Sequence, residues 1–236
     1  MSNIFVPNGT ILFFHDRMSD VMNTEVSTKN QTKDLKPATK QRGRPPSFNQ
    51  DEALEKALHV FWLHGYEGTS MAELTEALGM NKPSIYAAFG NKEELFRKAL
   101  AKYLVGTVAF VSEALNQPTA QKVIENFLFG AVELLTKPNN PRGCMVVQGA
   151  LTCGAGSAQI QQELISRRQS YENALKQRFD LAITQGDLPP QSNSAALAKY
   201  LATMHQGLSV QATSGATQAE LTEVVNIAIQ NWSAKN

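Results

Sequence analysis

Ser70-Met71-Ala72-Glu73-Leu74-Thr75-Glu76-Ala77-Leu78-Gly79-Met80-Asn81-Lys82-Pro83-Ser84-Ile85-Tyr86-Ala87-Ala88-Phe89 is the stretch on which the fold turns. A hydroxyl at Thr69 or Ser70 can cap a helix, with Glu73 in reach for the reciprocal bond of a capping box. The helix so started covers Met71 to Leu78 and stops at Gly79. Only Gly79-Met80-Asn81 separates it from a second short helix, about Lys82 to Phe89. Pro83 falls early in that helix, where its missing N–H costs nothing. Two short helices joined by a tight turn containing Gly are a helix-turn-helix. Thr75 is small enough for a close crossing, and Leu74, Leu78, Met80 and Ile85 supply the apolar contacts that set its angle. Taken alone, the same pattern also suits an ordinary helical hairpin.

The residues on either side extend the pattern. Asn49 can cap a preceding helix whose first turn carries Asp51 and Glu52, suited to the positive end of its dipole. Ala53, Leu54, Ala57, Leu58, Phe61 and Trp62 then recur at three- and four-residue spacing and give one apolar face. Gly65 is expected to end it. Phe61-Trp62-Leu63-His64-Gly65-Tyr66-Glu67-Gly68-Thr69-Ser70, followed by Ile85-Tyr86-Ala87-Ala88-Phe89-Gly90-Asn91-Lys92-Glu93-Glu94-Leu95-Phe96, closely resembles the DNA-binding domain of the tetracycline-repressor (TetR) family. The resemblance runs without a gap from about Phe48 to Tyr103. It implies an all-α fold: a three-helix head, a fourth linking helix, and a larger helical body for ligand binding and dimerisation.

That resemblance carries roles onto particular residues. In such heads the third helix enters the major groove and reads bases from its N-terminal half. The candidates are Asn81, Lys82 and Ser84, with the Ala87 methyl facing a thymine methyl. Lys82 serves equally as a guanine donor or as a phosphate-holding point charge. Thr69, Tyr86 and Lys92 resemble the family's phosphate-contacting positions, and the helix N-termini at Ser70 and Asn91 add backbone donors. Tyr86 has a packing alternative, and Phe89 reads as core.

Residues 1–47 have a different character. After Arg17 the chain runs through Ser27-Thr28-Lys29-Asn30-Gln31-Thr32-Lys33-Asp34 with no helical or strand period. Such a segment buries too little apolar surface to offset its ordering entropy and is expected to be a disordered arm. Met18 and Met22 leave open a later translational start. The arm ends in Lys36, Lys40, Arg42 and Arg44 with no acid among them. Arg42-Gly43-Arg44-Pro45 resembles the core of the AT-hook, whose slim extended backbone lets guanidinium groups enter a narrow minor groove. A solvated basic tail is the alternative.

From Asn91 onward the helical period continues. A long fourth helix is expected to reach about Leu115, with others over about 119–136, 157–184, 194–213 and 217–233 and an apolar region over 144–154. Leu197, Leu201, Met204 and Leu208 mark one late face, and Leu221, Val224, Val225, Ala228 and Trp232 the other. In the family the corresponding pair makes a four-helix dimer interface, so that two heads read the half-sites of a near-palindrome. The domain boundaries expected are 1–47, 48–103 and 104–236. The family binds inducers in the body, where Phe110, Phe127, Phe129, Met145, Cys144, Gln148, Tyr171 and His205 are candidates by location, each with a core-packing alternative. Arg142 and a helix N-terminus near Cys144 would lower its thiol pKa and suit it to sense oxidants or electrophiles. On one helix Cys144 and Cys153 would face opposite ways, about 13 Å apart along the axis, beyond disulfide reach.

Composition narrows the classes further. The 236 residues carry 22 basic and 21 acidic side chains, a net charge of +1. That near-balance excludes a general coat for nucleic acid. Seven of the basic residues and four of the acidic ones precede Gln50, whereas the head, residues 50–103, has six against eight. Affinity for DNA must therefore come from placement and from the doubling a dimer supplies. Two cysteines are too few for a disulfide-stapled secreted domain, and no apolar run approaches membrane-spanning length. A cytoplasmic protein is expected. His59 and His64 lie five apart and share no metal-binding face, and the glycines lack nucleotide-loop spacing. Neither a cofactor nor an enzyme activity is expected. The reading is a dimeric, ligand-responsive transcription regulator, a repressor by preference. A helical protein–protein adaptor is the alternative, and it leaves the arm, the turn and the phosphate-type residues unexplained together.

Overall fold

The structure is a computed structural model, and it describes residues 49–106, 108–152 and 155–233. Ten α-helices follow one another among them: α1 (Gln50–Gly68), α2 (Met71–Leu78), α3 (Lys82–Phe89), α4 (Lys92–Gly106), α5 (Ala109–Leu115), α6 (Ala120–Thr136), α7 (Met145–Thr152), α8 (Ala158–Thr184), α9 (Ser194–Thr213) and α10 (Gln218–Ser233). No strand occurs among the described residues, so the fold is all-α as expected. The arm, with Arg42 and Arg44, lies outside the described residues, and so does Cys153. No described helix is long and apolar enough to cross a membrane.

Local capping starts most of these helices. Asn49 Oδ1 accepts from the amides of Asp51 and Glu52. Ser70 and Glu73 form the expected capping box, and Asn91 with Glu94 and Thr217 with Glu220 form two more. Each satisfies amide groups that a helix start otherwise leaves bare. Gly65 interrupts α1 with φ 70° and ψ 177°, a region open essentially to glycine alone, and the chain resumes a helical turn through Gly68. The expected stop at Gly65 is thus a kink. Thr119 and Asn193 cap α6 and α9 in the same manner as Asn49.

The expected unbroken fourth helix is corrected: it stops at Gly106, and α5 begins at Ala109. Val105, Gly106, Thr107 and Val108 set three β-branched residues and a glycine in succession, all poor helix formers. Val108 turns into the core instead of continuing the helix.

Phe61, Leu74, Ile85, Phe89, Leu95 and Phe96 form the centre of the head. Phe61 meets Phe96 edge-to-face at 5.1 Å, and Tyr66 meets Phe96 at 5.2 Å. These rings tie α1 to α4, and Leu74, Ile85 and Phe89 seat α2 and α3 on the same core. In the body, α8 packs on α9 and α7, and α6 packs on α5, α9 and α10. The face of α1 that carries Trp62 packs against α7, so head and body share one hydrophobic core.

Candidate nucleic-acid interface and internal cavity

Helix α3 buries Ile85 and Phe89 and leaves Asn81, Lys82, Ser84, Tyr86 and Ala87 exposed. The split follows from an amphipathic helix laid on one core: the buried pair lies four apart, one turn above the other. Asn81 caps the helix, its Oδ1 accepting from the Ser84 amide at 2.9 Å, which fixes the side chain at the rim. Tyr86 is 42% exposed, so its ring is not core packing. Lys82 Nζ lies 5.7 Å from the Tyr86 ring centroid, and the two stand on one outward strip.

Lys92 and Ser70 come from the ends of two other helices. Lys92 is half-buried, with Nζ 4.5 Å from the Tyr66 ring centroid. Burial pulls its pKa below the usual lysine value, and Glu67 and Glu73 act against that pull. A partly desolvated ammonium of this kind gains from a phosphate beside it. Ser70 is exposed at the start of α2, but its hydroxyl and amide are taken up by Glu73. The Asn91 amide is likewise held by Glu94, so both cap amides are taken up within their own capping boxes.

Thr69 is placed otherwise than expected. It is 1% exposed, and its hydroxyl donates to the Gly65 carbonyl at 2.7 Å. The kink at Gly65 leaves that carbonyl without its helical partner, and the threonine turns inward to satisfy it. Its side chain is not available to a phosphate.

Inside the body a cavity of about 30 Å³ is bounded by Phe110, Val111, Phe127, Val147, Leu175, Cys144, Tyr171 and His205, with Arg168 and Glu172 at its edge. Five of the candidate lining residues, Phe110, Phe127, Cys144, Tyr171 and His205, share this cavity. Gln148 does not: its Nε2 donates to Ser209 Oγ and Thr213 Oγ1 at 3.4 and 3.5 Å, away from the cavity. Phe129 is 39% exposed because it lies one helical position off the buried face of α6, and Met145 is buried without lining the space.

Polar chemistry in the cavity is concentrated on few groups. Burial pushes the Cys144 thiol up, yet His205 and then Tyr103 stabilise the thiolate enough to hold it below the ordinary thiol value. Of the two expected causes, the helix N-terminus contributes through the Val147 amide, whereas Arg142 turns away and donates to the Ala216 carbonyl at 2.7 Å. Tyr171 has a buried hydroxyl without a hydrogen-bond partner among the described residues, and burial pushes its phenol well up, keeping it a neutral donor. No three His, Cys, Asp or Glu side chains among the described residues converge as a metal ion requires.

The last two helices keep an apolar outer surface. Leu201, Leu208, Leu221, Val225 and Ala228 are buried, and Trp232 stacks on Phe179 at 6.2 Å. Tyr200, Val210, Val224 and Ile227 remain exposed, and Ile227 reaches 58%. A groove between α9 and α10 runs past Met204, Gly207, Leu221 and Val224.

Sequence reasoning gives Trp62 and Tyr103 no role beyond the core, and the structure adds one. Trp62 Nε1 donates to the Gly143 carbonyl at 2.9 Å, and the Tyr103 hydroxyl donates to Cys144 Sγ at 3.3 Å. The available signal is a polar-tipped aromatic on each apolar face, since such tips need partners when buried.

Comparison with known proteins agrees with this geometry. The sequence profile of the family described as bacterial regulatory proteins, tetR family, matches residues 53–99. The HTH-type transcriptional repressor ComR of Escherichia coli (strain K12) is 33% identical over 195 residues, spanning 82% of this chain and 93% of its own. Among solved structures, a cysteine mutant of the regulator CifR complexed with 26-base-pair double-strand operator DNA is 39% identical with a TM-score of 0.76, covering 80% of this chain and all of its own. A putative transcriptional regulator from Rhodococcus sp. RHA1 is 41% identical with a TM-score of 0.54, covering 77% of this chain and 98% of its own.

Proposed function

The chain belongs to the TetR family of bacterial transcriptional regulators, and on that premise we propose that it is a homodimeric repressor that reads a near-palindromic operator and is released by a signal received in the body. The domains are then a basic arm (1–47), a reading head (48–103) and a regulatory and dimerisation body (104–236). It works in the cytoplasm on the nucleoid. Arg42 and Arg44 enter the minor groove, α3 enters the adjacent major groove, and Tyr86 and Lys92 hold phosphate. The observation that carries the reading is the exposed strip Asn81, Lys82, Ser84 and Tyr86 on a helix whose other side is sealed into the core. Operator selection from genomic fragments, followed by anisotropy titration of the recovered duplex, tests it. A protein that recovers no fragment sequence-specifically would instead support the adaptor alternative, and a Tyr86→Ala/Lys92→Ala protein that keeps its full affinity would refute the two phosphate assignments.

The dimer forms through α9 and α10, on the strength of their exposed Val210, Val224 and Ile227. The effector enters the cavity around Cys144, Tyr171 and His205. Its apolar walls and the free neutral donor of Tyr171 favour a small uncharged molecule with one hydrogen-bond-accepting oxygen. Cys144 adds a second mode, response to an oxidant or electrophile. A cavity of about 30 Å³ holds little more than a water or two, so an effector must widen it. That differential interaction is what shifts the separation of the heads.

A further inference from the structure

Gly143 and Cys144 are bonded to three separate helices. The Gly143 carbonyl accepts from Trp62 Nε1 on α1 at 2.9 Å, and Cys144 Sγ accepts from the Tyr103 hydroxyl on α4 at 3.3 Å. The Cys144 amide donates to Ser209 Oγ on α9 at 2.9 Å. The Trp62 and Tyr103 rings meet edge-to-face at 4.9 Å, so the first two bonds belong to one packed unit. All five residues are buried.

Mere core packing does not call for this arrangement. Apolar contact between α1, α4 and α7 would suffice, whereas three buried polar bonds converging on two residues demand one position. Gly143 sharpens the demand. It has φ 84°, and a Cβ there would stand 3.2 Å from the Ser209 carbonyl oxygen and closer still to the Thr213 methyl. The segment therefore has little room to shift without moving α1, α4 or α9. The Arg97–Glu163 link between head and body is, by contrast, a partly exposed ion pair that tolerates adjustment.

We propose that Tyr103 and Trp62 are positioning residues that latch the head to the wall of the cavity, so that displacement of the Cys144 sulfur frees α1 and α4 together and lowers operator affinity. This rests on the reading of that cavity as the effector site. The Tyr103 phenol, fully buried, stays protonated and able to donate to the sulfur. Added bulk on the sulfur breaks that bond, and the ring that moves is the one packed on Trp62.

A double-mutant cycle tests the latch on the full-length protein. Cys144→Met puts a methylene where the thiol sulfur was and extends it with S–CH3, which removes the acceptor from Tyr103 and adds bulk without needing a reagent to reach a buried site. Tyr103→Phe and Trp62→Phe each keep an aromatic ring and delete one bond. Operator affinity by anisotropy and melting temperature are read for every variant. Cys144→Met should weaken operator binding by about tenfold in the wild-type background, and by about twofold or less once Tyr103→Phe or Trp62→Phe is present. An equal fold-loss in all backgrounds overturns the latch and leaves the cavity reading intact. No loss in the wild-type background overturns both.

Should Cys144→Met fail to fold, methyl methanethiosulfonate on a Cys153→Ser background replaces it. The Cys144 thiolate bonds to the methylthio sulfur, methanesulfinate leaves, and the thiol proton goes to solvent. Single modification is verified by mass, and the same pattern of fold-changes decides.

Discussion

Lys92→Ala separates a phosphate contact from a structural role. Lys92 opens α4, where the helix dipole disfavours a cation by about 0.3–1 kcal/mol. Its ammonium lies 4.5 Å from the Tyr66 ring, a contact worth about 0.5–1 kcal/mol at a partly exposed site. These two effects nearly cancel, so the variant should melt within about 2 °C of the wild type. The consequence for DNA is larger. Each phosphate neutralised adds about 0.9 to the slope of log affinity against log salt, and a dimer presents the residue twice. The slope should therefore fall by about 1.8. Over a fourfold rise in salt, from about 50 to about 200 mM, the wild type should lose about 12-fold more affinity than the variant. Anisotropy titrations of a labelled operator at four salt concentrations measure this directly. Equal slopes for the two proteins, with unchanged melting, would refute the phosphate assignment.

Three further outcomes are expected. Ser70→Ala removes the hydroxyl that caps α2 and should lower head stability by about 1 kcal/mol, read as a lower denaturant midpoint; an unchanged midpoint would show that the cap is dispensable. His205→Ala removes the leading group that stabilises the Cys144 thiolate, so the pH midpoint for iodoacetamide labelling, on a Cys153→Ser background, should move up; a midpoint that stays put or falls would count against the pairing. Val224→Asp with Ile227→Asp puts charge on exposed apolar positions of α10 and should give a folded monomer in sedimentation velocity. A dimer that persists would place the interface elsewhere.

Residues that find their partners within a few positions are legible in the sequence alone. Asn49 and Ser70 cap their own helices, and the periods of α2, α3, α9 and α10 mark their buried faces, because capping and amphipathicity are satisfied within three or four residues. The exposed strip of α3 follows from the same local rule. Other features depend on tertiary packing. Thr69 turns inward because the kink at Gly65 exposes a carbonyl to it, and the fourth helix breaks where Val108 finds the core. The partner of Cys144 is His205 from α9 rather than nearby Arg142. Trp62 reaches Gly143 across 81 residues, and Tyr103 reaches Cys144 across 41. No periodicity encodes such meetings. They arise where several helices converge and each buried polar tip takes whatever donor or acceptor the packing brings within reach.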